Sequence, residues 1–191
     1  MKVLKFGGSS VGSPDRIENI AQIIADKKSS DKLIVVFSAF GGVTDQLIQM
    51  GTQAAAGDMA YKDIFTEIES RHLEVARKLL TLQRQTDALT QIKIRLNELE
   101  EILHGVFLVK ELTRKTLDYI MSFGERLSAY TINEILADRA MDSVFVDSRN
   151  IVFTDDQFGK ARIRYEETNR NIKSLIEDNH DIYVVTGFIG S

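Results

Sequence analysis

The chain has 191 residues, 43% of them hydrophobic and 27% charged, with a formal net charge of −4. That balance suits a globular domain with one well-filled core, and the mild acidity argues against nucleic acid or an anionic membrane surface as a partner. There is no cysteine, which excludes a disulfide framework and a thiolate metal site. No apolar run approaches the roughly 20 residues of a membrane span, and Met1-Lys2 leads straight into an apolar run rather than a signal peptide. The expectation is a cytoplasmic protein.

Val3-Leu4-Lys5-Phe6 reads as a short strand. Gly7-Gly8-Ser9-Ser10 follows at once, and Ser13-Pro14 opens a helix carrying Ile17, Ile20, Ala21 and Ile24 at helical spacing. A strand, a glycine turn and a helix start together aim backbone N–H groups at an anion, and Lys5 stands close enough to reach it. The lysine precedes the glycines, so the spacing is neither the Walker pattern nor the dinucleotide fingerprint. On residue types alone, such a pair of glycines is more often a plain tight turn than a phosphate cradle.

Asp31-Lys32 precedes Leu33-Ile34-Val35-Val36-Phe37, an unbroken apolar run of the kind buried on both faces of a parallel sheet. It ends in a second glycine turn, Ser38 to Thr44, ahead of a helix over Asp45 to about Gln53. Thr44 suits either the N-cap of that helix or a ligand contact. Two such turns at strand C-termini are where an open α/β sheet binds its ligand.

Strand signals vanish from about 57 to 112, where amphipathic patterns predict an insertion of three or four helices. Gly105 would end one of them, and Arg71, Glu74, Arg77 and Lys78 would form a solvated face. Ser122 and Glu125 stand three apart before an apolar-periodic run (Leu127, Tyr130, Ile132, Ile135, Leu136), which predicts a capping box, with Arg126 on the surface of the first turn. That helix should end near Ala140. Ser143 to Asp147 is a third strand. A helix with Ile172, Leu175 and Ile176 should end near Asp178-Asn179, and Asp181 to Thr186 is a fourth strand leading into a third glycine turn, Gly187 to Ser191.

Four stretches resemble the aspartokinases: Lys5-Phe6-Gly7-Gly8-Ser9-Ser10-Val11, Ser38-Ala39 with Gly42-Val43-Thr44, Ser122-Phe123-Gly124-Glu125 with Leu127-Ser128-Ala129, and Gly187-Phe188-Ile189-Gly190. Thr154 to Ala161 is also similar, to a family segment at the rim of the substrate pocket. Ser9 stands where the family more often has threonine and keeps the hydroxyl. The resemblance implies transfer of the γ-phosphoryl group of ATP, with Mg²⁺, to the β-carboxylate of L-aspartate, the first step of lysine, threonine and methionine biosynthesis. It implies Lys5 as the catalytic charge and a phosphate site of Lys5, Gly7, Gly8, Ser9 and Gly41. It implies an aspartate site of Ser38, Ala39, Thr44, Glu125 and Phe188, with Glu125 on the substrate ammonium, and no protein metal ligand. The fold implied is an open, mainly parallel α/β sheet with flanking helices and a helical insertion, the N-terminal lobe of a longer homo-oligomeric enzyme. The nucleotide lobe is expected to be absent and the isolated chain inactive. Kinases of the same fold acting on glutamate, acetylglutamate, carbamate or uridylate are the nearest alternative, and a non-catalytic binding module is the other.

Overall fold

The computed structural model describes residues 1–28, 32–177 and 180–191. The expected lead-in at Asp31 and the helix end at Asp178-Asn179 lie outside them. Four strands, β1 (Lys2–Phe6), β2 (Leu33–Phe37), β3 (Ser143–Val146) and β4 (Ile182–Thr186), form one sheet in the order β1-β2-β4-β3. All three pairings are parallel, with Lys5 opposite Val36 and Phe37 opposite Thr186. The helices are α1 (Pro14–Lys28), α2 (Val43–Ala55), α3 (Tyr61–Leu79), α4 (Leu82–Val109), α5 (Arg114–Asp138) and α6 (Tyr165–Glu177).

The two faces of the sheet are unequally covered. Leu33, Val35 and Phe37 are buried in the main core with Ile182, Val184 and the inner residues of α1 to α5. Ile34 and Val36 point the other way and are only half-buried, against a small cluster of Val146, Tyr183 and Val185 with Leu175 of α6. β2 is therefore fully buried on one face rather than both, because α6 alone gives little apolar surface to the second. Strand alternation puts Leu4 and Phe6 against the main core and leaves Lys5 exposed on the opposite face of an edge strand.

The insertion comprises two long helices, α3 and α4, rather than three or four. Gly105 lies inside α4, since Leu99, Leu103 and Val106 continue one buried stripe past it, and the helix stops at Lys110 in the left-handed conformation (φ 55°).

The predicted capping box does not form. Helix α5 begins nine residues earlier, capped by Thr113, whose Oγ1 accepts from the Thr116 N–H at 3.1 Å. No breaker lies between Arg114 and Ser122, so the helix runs through. The Ser122 hydroxyl, now mid-helix, donates to the Tyr119 carbonyl at 2.7 Å. Every residue from Ser122 to Asn133 is buried. A helix buried all round is a core element, and α5 touches α2, α3 and α4 on one side and β2, β3 and β4 on the other.

Candidate functional site

Three turns lie side by side at the C-terminal edge of the sheet, after β1, β2 and β4. The Ser38 N–H donates to the Phe6 carbonyl at 3.1 Å and the Gly187 N–H to the Phe37 carbonyl at 2.8 Å, so the strands release their chains in step. After β1 the backbone makes a 3-10 turn over Gly8–Val11, closed by the Ser10 N–H on the Gly7 carbonyl at 2.8 Å. Helix α1 therefore starts one turn beyond the glycines and not directly on them. Pro14 is its first residue, as expected, and the Ser13 carbonyl accepts from the Ile17 N–H at 3.1 Å.

The first two turns touch through backbone. A Cβ on Gly8 would lie 3.0 Å from the Ala39 oxygen and 3.4 Å from the Gly41 Cα, and one on Gly41 would lie 3.1 Å from the Gly8 oxygen. A side chain at either position would press the two turns apart by a few tenths of an ångström, which glycine avoids. Gly42 then takes φ +85° and stands at the N-cap of α2 without a side-chain cap, so Thr44 is the second helical residue and is not the cap. Its half-buried side chain lies on the first turn of α2.

Glu125 reaches this edge from beneath. The residue is 4% exposed, and Oε1 accepts from the Ala39 N–H at 3.3 Å, across 86 residues of chain. Burial raises its pKa above the ordinary carboxyl value, and the Ala39 amide opposes that rise. Gly124 makes the approach possible, since a Cβ there would lie 2.7 Å from the Ala39 Cβ.

The structure thus brings together Gly8, Ala39, Gly41 and Glu125. Gly7 and Ser38 are half-buried on the same turns, Ser9 is exposed, and Lys5 is exposed on the face of β1 away from the core. Phe188 is 85% exposed with φ 62°, on the turn after β4. The edge offers backbone N–H groups from two touching glycine turns above one buried carboxylate, a set suited to an anion beside an ammonium.

The amino acid kinase family matches the chain over residues 1–191. The chain belongs to that family. Among curated relatives, aspartokinase 1 of Arabidopsis thaliana, a chloroplastic protein, is 33% identical over 192 residues, covering 98% of this chain and 33% of its own. The chloroplastic bifunctional aspartokinase/homoserine dehydrogenase of Daucus carota is 27% identical over 190 residues, covering 98% of this chain and 20% of its own. The crystal structure of Escherichia coli aspartokinase III with aspartate and ADP superposes with a TM-score of 0.88 at 23% identity, a likeness of fold that spans 99% of this chain and 41% of that one. The chain thus spans a fifth to a third of the length of these curated relatives.

Within this amino acid kinase fold, two groups of charged residues escaped the sequence reading. Arg71 is not on a solvated face: it is half-buried and bonds the Gly41 carbonyl at 2.7 Å and the Gly12 carbonyl at 2.9 Å. Arg126 is 7% exposed, not a surface residue. Its guanidinium lies 4.3 Å from the Phe123 ring centroid, 2.9 Å from Glu98 and 3.7 Å from Asp147, with Arg149 donating to Asp147 at 2.7 Å and the Tyr119 hydroxyl to Glu98. Burial pushes the Asp147 carboxyl up, but the hydrogen bonds and charge of Arg149, with Arg126, hold it below its ordinary value. The sequence signal for this cluster is slight: an arginine beside Glu125 in the mostly apolar buried stretch of α5, and an Asp-Ser-Arg turn ending β3.

Proposed function

We propose that this chain is the substrate-side part of an aspartate kinase, which transfers the γ-phosphoryl group of ATP to the β-carboxylate of L-aspartate and makes 4-phospho-L-aspartate. The observation that carries the reading is the buried Glu125 carboxylate, anchored on the Ala39 amide directly below two glycine turns in backbone contact. A buried carboxylate held only by neutral backbone donors, the Ala39 amide and its own, is short of countercharge, and an amino-acid ammonium supplies it. Phosphoryl transfer itself asks mainly for positioning and charge neutralisation. The turn amides about Gly7, Gly8, Ser9 and Gly41 would hold the phosphoryl oxygens and Lys5 would neutralise their charge, while Ser38, Ala39, Thr44 and Phe188 would frame the aspartate.

Among the described residues no group of three or more His, Asp or Glu side chains could hold a metal ion. In this reading Mg²⁺ arrives on the phosphates of ATP, with most of its ligands from water and nucleotide. The similarity to aspartokinases along nearly the whole chain supports aspartate over the other amino acid kinase substrates. Lysine, threonine and methionine biosynthesis and a homo-oligomeric parent follow from the same reading.

Aspartyl hydroxamate formation is the test. The chain by itself, spanning 41% of the E. coli enzyme, should stay at background. At full length, Glu125→Gln should keep an acceptor for the Ala39 N–H while losing the charge. Weakening a charge-assisted bond to a neutral one costs on the order of 1–3 kcal/mol, so KM for aspartate should rise roughly 5- to 150-fold with KM for ATP unchanged. Normal aspartate affinity in Glu125→Gln would remove the assignment.

A further inference from the structure

Arg71 comes from α3, in the insertion, yet both of its hydrogen bonds fall on the turns at the sheet edge. One donor takes the Gly41 carbonyl of the second turn at 2.7 Å, and the other the Gly12 carbonyl that closes the 3-10 segment of the first at 2.9 Å. The guanidinium plane also lies over Phe40, 5.7 Å from its ring centroid, and Phe40 is stacked on His72 at 4.5 Å. A rigid planar fork can hold two acceptors at a fixed separation, which an ammonium on a flexible stem cannot. The peptide unit is planar and trans, so fixing a carbonyl fixes the N–H on its other side. By holding the Gly41 and Gly12 oxygens, Arg71 turns the Gly42 and Ser13 N–H bonds away from itself. It also draws two carbonyl dipoles back from an edge that has to receive an anion.

We propose that Arg71 is a positioning residue: its guanidinium locks the two glycine turns into one anion-binding unit, so that the helical insertion sets the geometry in which the phosphoryl group is held. The inference rests on the kinase reading for its anion, a nucleoside triphosphate phosphate, but not for its geometry. It assigns the insertion a part in the chemistry, beyond bulk. Arg71 itself touches no substrate and acts through Gly41 and Gly12.

Two measurements on Arg71→Ala and Arg71→Lys test it. The first is amide hydrogen exchange at Ser10 and Val43, whose N–H groups close the two turns on the Gly7 and Phe40 carbonyls. In Arg71→Ala both should exchange about tenfold faster or more, while Val184 in β4 keeps its protection. The second is steady-state kinetics at full length. Misplacing a binding group by about 1 Å costs on the order of 100-fold in rate, so kcat should fall roughly 10- to 100-fold while KM for aspartate stays within a factor of about three. Arg71→Lys keeps the charge without the fork, and should fall between Arg71→Ala and the native enzyme. Native exchange at Ser10 and Val43, or an unchanged kcat in Arg71→Ala, overturns the proposal, and native kcat in Arg71→Lys overturns the fork. A native enzyme inactive on aspartate would instead sink the kinase reading, and the exchange result would still decide the role of Arg71.

Discussion

His72 is fully buried, with Nδ1 2.7 Å from the Ile68 carbonyl and its ring stacked on Phe40. Burial pulls its pKa from 6.5 down to about 4, with the Ile68 carbonyl opposing and the Arg71 charge assisting. The unfolded chain thus takes up this proton at a pH where the folded chain refuses it. The stability tied to neutral His72 is whole above about pH 6.5 and is lost as the pH falls toward 4. A pKa difference of this size corresponds to on the order of 3 kcal/mol. His72→Phe keeps a ring against Phe40 and cannot titrate. Urea unfolding between pH 6.5 and 5, above the range where most carboxylates titrate, should show a shallower loss of stability in the variant. An identical slope in the two proteins would mean that His72 is not the group responsible.

At the scale of elements, the crossing of α5 with the turn after β2 is the tightest joint at the site. Gly124→Ala improves intrinsic helix propensity by about 1 kcal/mol, but its Cβ would sit 2.7 Å from the Ala39 Cβ and 3.2 Å from Leu47. Overpacking costs about 1–3 kcal/mol, so the net change should be a loss of stability, visible as a lower Tm. Adding Ala39→Gly clears the clash and should recover much of the loss, a coupling that a double-mutant cycle measures. Additive effects would show that the two residues do not press on each other. This joint was half legible in the sequence. Strands and glycine turns announced themselves because an apolar run followed by Gly-Gly has few other uses. The start of α5 did not, because Thr113 and Ser122 both stand before polar positions three residues on, and local pattern cannot rank two caps. Burial decides it: the stretch between them has its own place in the core through Ile120. Arg71 was illegible for a different reason. Its acceptors are 30 and 59 residues away, and a helical pattern reports only that a residue is off the apolar stripe.

At the scale of the molecule, the insertion and the sheet share one core. Ile92, Leu96, Leu99 and Leu103 of α4 belong to the same buried cluster as Val35, Phe37 and Val184 of the sheet, joined through α5. Helices α3 and α4 also flank α2, and the Thr81 N–H and hydroxyl both bond Asp138 at the end of α5, at 2.7 and 2.8 Å. A segment that could open by itself would expose its own apolar face without disturbing another element. Here, withdrawing α4 would strip the outer side of α5, whose inner side packs on β3 and β4. The expectation is a single cooperative transition. In native-state hydrogen exchange under increasing denaturant, amides of Leu96 and Val184 should converge on one opening free energy. Leu96→Ala, which opens a core cavity costing about 2–5 kcal/mol, should lower both by the same amount. If the α4 amides open at a distinctly lower free energy than Val184, and Leu96→Ala lowers only theirs, then the insertion is a separate folding unit. The Arg71 clamp would in that case be able to release the glycine turns while the sheet stays folded.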